Sequence, residues 1–538
     1  MSARCQDINL EEDKCRLQLF GQLLIDGKQH TIEPVSIGQN SSSEGHRGHH
    51  KVKLVQDWVD FTSDYLYPDN FDFAKQRKVV RNTTESSGRS RRQAVAYYVE
   101  ILSVTDFPIF QYWYDRSVED GHEAKTDDAI DTILFFQAHL FNAMDVRYQS
   151  ISAHTSAYTI SPQFMGIFIA NESSQSQWTE NLKVSASPRD QVEAGQSLQE
   201  FRNWLGTEPN IPDYDHAMAF TGYDLTSGGS TVVAGLAYVG AVCGSYGVSI
   251  SEDHFHPGLA IIASHELGHN LNSQHDGNGN LCPDNIKNIM SASSGPSTDS
   301  STNTNHYSFS SCSVDYFTDL IDELNANNVN CMANTAGGYD PAALDVYTET
   351  LPGENFHLDD QCRSMMDTDQ SYFCRWAFDD PTLVCQYIYC AIPGTSSCST
   401  KFSWDGTQCG NGKMCINGQC VVDSRAPTSW SDSCPFGDQS GIVSNGQSCS
   451  VLVSNSPVSC YEGYSNHDRC CGSCAEYYTC EPAAGNKQSV SSDEQDQADP
   501  QITIYVTVAT VGGLGMGVAL VCIFKCVKAS ANKVVPFP

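Results

Sequence analysis

Hydrophobic and polar positions alternate in several distinct ways along this chain. Near the start, Gly21-Gln-Leu-Leu-Ile-Asp-Gly-Lys-Gln-His-Thr-Ile-Glu33-Pro34 predicts two strands around a turn at Asp26-Gly27. The run Val95-Ala-Tyr-Tyr-Val-Glu-Ile-Leu-Ser-Val104 alternates and predicts a strand. Thr231-Val-Val-Ala-Gly-Leu-Ala-Tyr-Val-Gly240 is also β-prone. As an edge strand it could pair with an extended peptide; as an internal strand it could not. Gly258-Leu-Ala-Ile-Ile-Ala-Ser-His265 predicts the start of a buried helix.

Ile502 to Phe524 is different: 23 residues without a charge. At about 1.5 Å per residue, such a helix crosses a hydrocarbon core of roughly 30 Å. The acidic stretch Ser491 to Asp499 precedes it, and Lys525, Lys528 and Lys533 follow. Positive charge beyond the span places the short tail in the cytoplasm, so the expectation is a single-pass type I protein with residues before 500 outside the cell. Membrane lipid is then one partner. Met1-Ser-Ala-Arg-Cys5-Gln-Asp has no apolar core and is no signal peptide, so the true N-terminus is expected upstream of this sequence.

Composition narrows the class. A formal charge of -33 over 538 residues argues against nucleic acid as a partner, because phosphate binding needs a basic surface. The 23 cysteines include four from Cys243 to Cys331 and fifteen from Cys362 to Cys480, with Cys522 and Cys526 at the far end. Dense, irregular cysteines imply a disulfide framework made in an oxidising compartment. Structural zinc knuckles would need paired Cys-x-x-Cys groups, and only Cys471-Gly-Ser-Cys474 has that spacing. Asn-x-Ser/Thr acceptors at Asn40, Asn82 and Asn171 agree with an extracellular, glycosylated location. Arg89-Ser-Arg-Arg92 ends a polar Ser/Gly-rich stretch just before the Val95 strand, where a processing protease can cut without breaking a fold. Residues 1–92 then read as a removable pro-segment, with Cys5 or Cys15 as a conceivable thiolate to block a metal.

The chemistry concentrates in His265-Glu-Leu-Gly-His269-Asn-Leu-Asn272-Ser-Gln-His275. His265 and His269 stand at i and i+4, one turn apart on one helix face, and Glu266 projects beside them. His275 supplies a third zinc ligand once the chain turns back, which leaves a fourth position for water or substrate. The turn falls at Asn272, the non-glycine residue type best suited to positive φ. Zinc at such a site polarises a carbonyl and lowers the pKa of its water, with Glu266 as catalytic base. Because the three histidines must be neutral to bind, activity is expected to fall in mild acid. Met290 is the candidate floor beneath the imidazoles.

These residues resemble the ADAM and ADAMTS metalloproteases of the metzincin group, whose motif has glycine where this chain has Asn272. Asp276 after the third histidine, Ser197 to Trp204, Asp215 to Thr221 and Gly235 to Gly240 carry the likeness further. It covers 93–334 and implies an α/β (α+β) catalytic domain, with a central mostly parallel sheet and zinc at the floor of a cleft. By analogy Cys243 pairs with Cys331 and Cys282 with Cys312. A structural Ca2+ is implied at Glu100, Asp215, the Cys331 carbonyl and Asn334. The cluster Arg89, Arg91 and Arg92 corresponds to an activation site for a furin-like convertase.

Residues 351–425 resemble the ADAMTS cysteine-rich, disintegrin-like module, through Leu351-Pro-Gly353, Asp360-Gln-Cys362-Arg and Trp404-Asp-Gly-Thr-Gln-Cys409-Gly. Its eight cysteines could close four bridges. Segment 430–481 has seven cysteines and lacks the Thr-Cys-Gly of typical thrombospondin repeats. The expected layout is 1–92 partial prodomain, 93–334 catalytic domain, 335–350 linker, 351–425 cysteine-rich module, 430–481 small module, 482–501 acidic linker, 502–524 transmembrane helix and 525–538 tail. Two functions fit: a zinc endopeptidase acting on matrix or cell-surface proteins, or a non-catalytic adhesion receptor that keeps the fold. Intact Glu266 favours the first and Asn272 the second.

Overall fold

A strand buried on both faces needs apolar residues at successive positions, and Val99, Ile101, Leu102 and Val104 meet that need. The computed structural model describes residues 2–6, 16–25, 28–34, 50–54, 59–68, 94–209, 211–296, 302–334, 342, 344–378, 380–395, 397–444, 446–460 and 467–475. Arg89 to Arg92, Asn40, Asn82, Cys15, the acidic linker, the 502–524 span and the tail lie outside them. Among the described residues, no helix is long and apolar enough to cross a membrane.

Strands β1 (Ser2–Gln6), β2 (Arg16–Ile25), β3 (Lys28–Pro34) and β4 (His50–Leu54) form one antiparallel sheet in that order. The β2–β3 hairpin pairs Ile25 with Lys28, around the expected turn. Two short strands follow, β5 (Val59–Asp60) and β6 (Tyr65–Leu66).

The central sheet has six strands. In chain order after β6 these are β7 (Val95–Thr105), β8 (Tyr158–Ile169), β10 (His216–Thr221), β12 (Gly235–Tyr238) and β13 (Val248–Glu252). The short β9 (Gln191–Glu193) and β11 (Asp224–Thr226) pair apart from it. The central order is β6-β12-β13-β10-β7-β8. Every neighbour is parallel except β12 against β13. The mostly parallel sheet expected from the sequence is therefore present, but one of its two edge strands, β6, comes from the stretch assigned to the pro-segment.

Helices α1 (Phe107–Arg116), α2 (His122–Gln149), α4 (Leu259–Asn270) and α5 (Ser311–Ala326) share one core with Val99 and Ile101. Helix α3 (Ala194–Leu205) buries Leu198 and Phe201 with Leu102 and Val104 in a second core. Alternation along β7 sends its side chains to both. Cys243 is bonded to Cys331 and Cys282 to Cys312.

The eight cysteines of the following module close four bridges: Cys362–Cys390, Cys374–Cys398, Cys385–Cys415 and Cys409–Cys420. Phe356 and Trp404 of this module pack on Phe136 of α2, with ring centroids 5.6 and 5.5 Å apart. From Gly437 onward a separate unit holds Cys449–Cys470 and Cys460–Cys474 around Leu452 and Val453.

Candidate metal centre

Helix α4 is buried along its whole length, so its side chains are held by packing on every side. Its last carbonyls are satisfied from two directions: Gly240 and Ala241 donate to His269 and Asn270 (both 2.9 Å), and Ser273 donates back to Gly268 (2.9 Å). Asn272 ends the helix at φ 78°, the left-handed geometry expected of it. The chain then returns and brings His275 beneath the helix.

Three imidazoles converge. Their Nε2 atoms lie 3.0 Å apart for His265 and His269, and 3.2 Å apart for each of these against His275. His265 Nδ1 sits 2.6 Å from the Ile289 carbonyl and His269 Nδ1 2.8 Å from the Ser273 carbonyl. A carbonyl only accepts, so each Nδ1 carries the ring proton and each Nε2 presents a bare lone pair. Lone pairs this close repel unless a cation lies among them. A tetrahedral ion held at about 2.0–2.1 Å from each donor separates its ligands by roughly 3.3 Å, so the residues fit zinc. Burial pushes the His269 ring down to about 4, despite the opposing pull of Asp64, which keeps it in the neutral form a metal needs.

A fourth group faces them. The Asp64 carboxylate, fully buried, is 2.9 Å from His265, 3.3 Å from His269 and 3.0 Å from His275, measured to each Nε2. Asp64, His265, His269 and His275 thus form one buried donor set able to hold a metal. Burial by itself opposes the Asp64 charge; positive charge on the facing His269 and His265 rings, when they are protonated, outweighs it and holds the carboxyl well below its usual range. Glu266 is displaced the other way: burial pushes it well above the carboxylate range, and the Asp64 charge adds to the effect. Neither Glu266 oxygen has a hydrogen-bond partner among the described residues. Met290 is fully buried under the helix, where a Cβ on Gly268 would come within 2.5 Å of its sulfur.

The remaining predicted residues are placed as follows. Glu100 and Asp215 are adjacent and buried; the Glu100 amide donates to the Asp215 carboxylate (3.0 Å). Burial pushes Asp215 up to about 6; that hydrogen bond opposes the rise, and the Glu100 charge adds to it. The Asn334 amide donates to the Cys331 carbonyl (3.3 Å). Asn171 is exposed.

Sequence reasoning missed Asp64, Phe61, Tyr65 and Gly235. Asp64 lies about two hundred residues before the histidines and belongs to no spacing motif. The only available signal was aromatic density, Trp58, Phe61, Tyr65 and Tyr67, in an otherwise polar stretch. A thiolate of Cys5 or Cys15 was a conceivable blocking group; among the described residues the group facing the imidazoles is the Asp64 carboxylate.

Comparison with known proteins agrees with this geometry. Residues 175–336 match the reprolysin (M12B) family zinc metalloprotease, and residues 352–421 match ADAMTS cysteine-rich domain 2. "A disintegrin and metalloproteinase with thrombospondin motifs like" of Bombyx mori is 27% identical over 392 residues, 68% of this chain and 50% of that protein. "A disintegrin and metalloproteinase with thrombospondin motifs 18" of Homo sapiens is 31% identical over 234 residues, 42% of this chain and 18% of its own length. Number 14 of the same human series is 24% identical over 492 residues, 86% of this chain and 35% of that one. The chain therefore spans half or less of each of these relatives. Taken with the three-histidine cluster, these matches make residues 175–336 similar to the reprolysin zinc metalloproteases and residues 352–421 similar to the ADAMTS cysteine-rich domain.

Proposed function

We propose that this chain is a zinc-dependent endopeptidase that hydrolyses peptide bonds of extracellular matrix or cell-surface proteins. The observation that carries the reading is the packing of His265, His269 and His275 around one point, with the unpartnered Glu266 carboxylate beside them. The three imidazoles would hold zinc, which supplies Lewis acidity and a more acidic water when bound. Glu266 takes a proton from the attacking water and returns it to the leaving amine. Strand β12 lies along the site between β6 and β13; β6 takes the amides of Ala237 and Val239 here, and with the pro-segment gone an extended substrate backbone would accept from them.

In this reading the domain layout, the furin-type cleavage at Arg92, the glycosylation sites and the type I membrane anchor are those set out from the sequence. Met290 serves as structural floor. Glu100 and Asp215, with the Cys331 carbonyl and Asn334, form a Ca2+ site that stiffens the domain's end; two adjacent buried carboxylates support it.

The alternative of a non-catalytic receptor drew on Asn272, and Asn272 adopts the left-handed geometry that the turn requires. The test is peptide-library cleavage by protein cut after Arg92, with a chelator arm, zinc re-addition and Glu266→Ala alongside. Cleavage lost on chelation, restored by zinc and reduced roughly 100-fold or more by Glu266→Ala is expected. Stoichiometric zinc with no turnover on any peptide would overturn the enzyme in favour of the receptor.

A further inference from the structure

Residues 59–67 run directly through the cleft of the proposed zinc site. On one wall, β5 pairs antiparallel with β14 (Ser293–Ser294), and the Phe61 amide donates to the Ala292 carbonyl (2.8 Å). On the other wall, β6 adds parallel to the edge of β12; Ala237 donates to the Asp64 carbonyl (3.0 Å) and Val239 to the Leu66 carbonyl (2.8 Å). Both walls of the cleft are thereby occupied by one stretch of chain.

Between the walls the chain makes a turn, with the Asp64 amide 3.3 Å from the Phe61 carbonyl, so that Thr62 and Ser63 face solvent while Phe61 and Asp64 point inward. Phe61 is fully buried with Ala234 and Ile262, and its ring lies on His265 at 4.0 Å and 17°. Tyr65 covers His269 and His275, with centroids 5.0 and 5.2 Å away, and its hydroxyl accepts from Asn278 (3.1 Å). The Tyr67 hydroxyl donates to Gln274 (3.0 Å).

We propose that this segment is a built-in inhibitor and that Asp64 is the fourth zinc ligand of the uncut precursor, in place of the water that hydrolysis needs. The inference rests on the zinc reading of the three histidines. A carboxylate is an ordinary oxygen donor to zinc, and its two oxygens lie at ligand separation from all three imidazoles. The group presented to the imidazoles is a side-chain carboxylate and not a peptide carbonyl, so the segment fills the site without offering it a bond to cut. Phe61 and Tyr65 keep water away from the same point. On this reading latency needs no thiol.

The experiment uses the full chain with Arg91→Ala and Arg92→Ala so that it stays uncut, as Asp64 and as Asp64→Ala, each loaded with zinc or with cobalt(II). Expected are equal metal content, a silent Asp64 precursor, measurable peptide cleavage by Asp64→Ala, and a changed cobalt visible spectrum when water replaces the carboxylate. Cys5→Ser and Cys15→Ser should leave the precursor silent. A peptide of residues 57–69 should inhibit the cut enzyme, and its Asp64→Ala form should do so roughly 10- to 100-fold more weakly, as for loss of one charge-assisted contact. The peptide arm decides the matter if Asp64→Ala fails to fold. Bound metal with identical cobalt spectra, or wild-type and Asp64→Ala peptides of equal potency, overturns the proposal and leaves the enzyme reading standing. Precursors that take up no metal overturn both.

Discussion

Gly235 on β12 lies so close to Glu266 that a single methyl group there would collide with the Glu266 carboxylate. The glycine has no unusual backbone angle to require it, so its role is space. Gly235→Ala is expected to keep its fold and its zinc while kcat falls by roughly 100-fold, the usual cost of displacing a reacting group by about 1 Å. Metal content and steady-state kinetics on one peptide check this; unchanged kcat would refute it.

Asn272 carries positive φ at the end of the zinc-binding helix. Asn272→Gly should match or exceed the native stability, since glycine adopts this geometry without steric cost but adds freedom to the unfolded chain. Asn272→Ala should lose about 1 kcal/mol or more, because Cβ strain is no longer offset by a short polar side chain. Denaturant midpoints of the three proteins decide the order.

His216, buried behind that helix, shares hydrogen bonds with Asn270 (3.1 Å) and Ser249 (2.9 Å). Burial pushes its ring down to about 4, against a smaller opposing effect of the Asn270 contact. The unfolded chain titrates near 6.5, so as pH falls the unfolded state takes the proton first. The stability from a neutral His216 is therefore complete above about 6.5 and lost between there and 4. Between pH 7.5 and 5, wild type should lose about 2 kcal/mol more than His216→Gln. The difference between the two proteins is the quantity to measure, because Asp106, pushed up to about 7 by burial, works in the opposite sense in both.

Asp359 and Arg375 in the cysteine-rich module are buried and joined by two hydrogen bonds of 2.8 and 2.7 Å, and Asp359 also accepts from the Phe373 amide (3.0 Å). Asp359→Ala removes two charge-assisted hydrogen bonds from a buried guanidinium and should destabilise the module by roughly 3–5 kcal/mol. Four disulfides still tie its chain, so the loss should appear as faster proteolysis and amide exchange within 352–421. Native exchange rates in the variant would contradict it.

The helix, the three histidines and the sharp turn at Asn272 were legible because they obey local rules: i, i+4 spacing, an apolar run, a residue tolerant of positive φ. The strand at Val95 followed from alternation, and the stretch at Gly235 from its β-prone residues. What escaped was set by contacts across the chain. The pairing of β6 with β12 joins residues some 170 positions apart, and nothing in Asp60-Phe-Thr-Ser-Asp64 distinguishes one acidic residue from the other. Gly235 looked like any strand glycine until Glu266 was seen against it.

The parallel pairing of β6 with β12 has a cost for the mature protein. Departure of the N-terminal segment would leave the amides of Ala237 and Val239 without their present acceptors, on a strand whose other side is already paired. Such an open border accepts any extended chain, including another copy of itself. Concentrated cleaved protein should therefore self-associate more readily than its precursor, and an occupied cleft would restore its solubility.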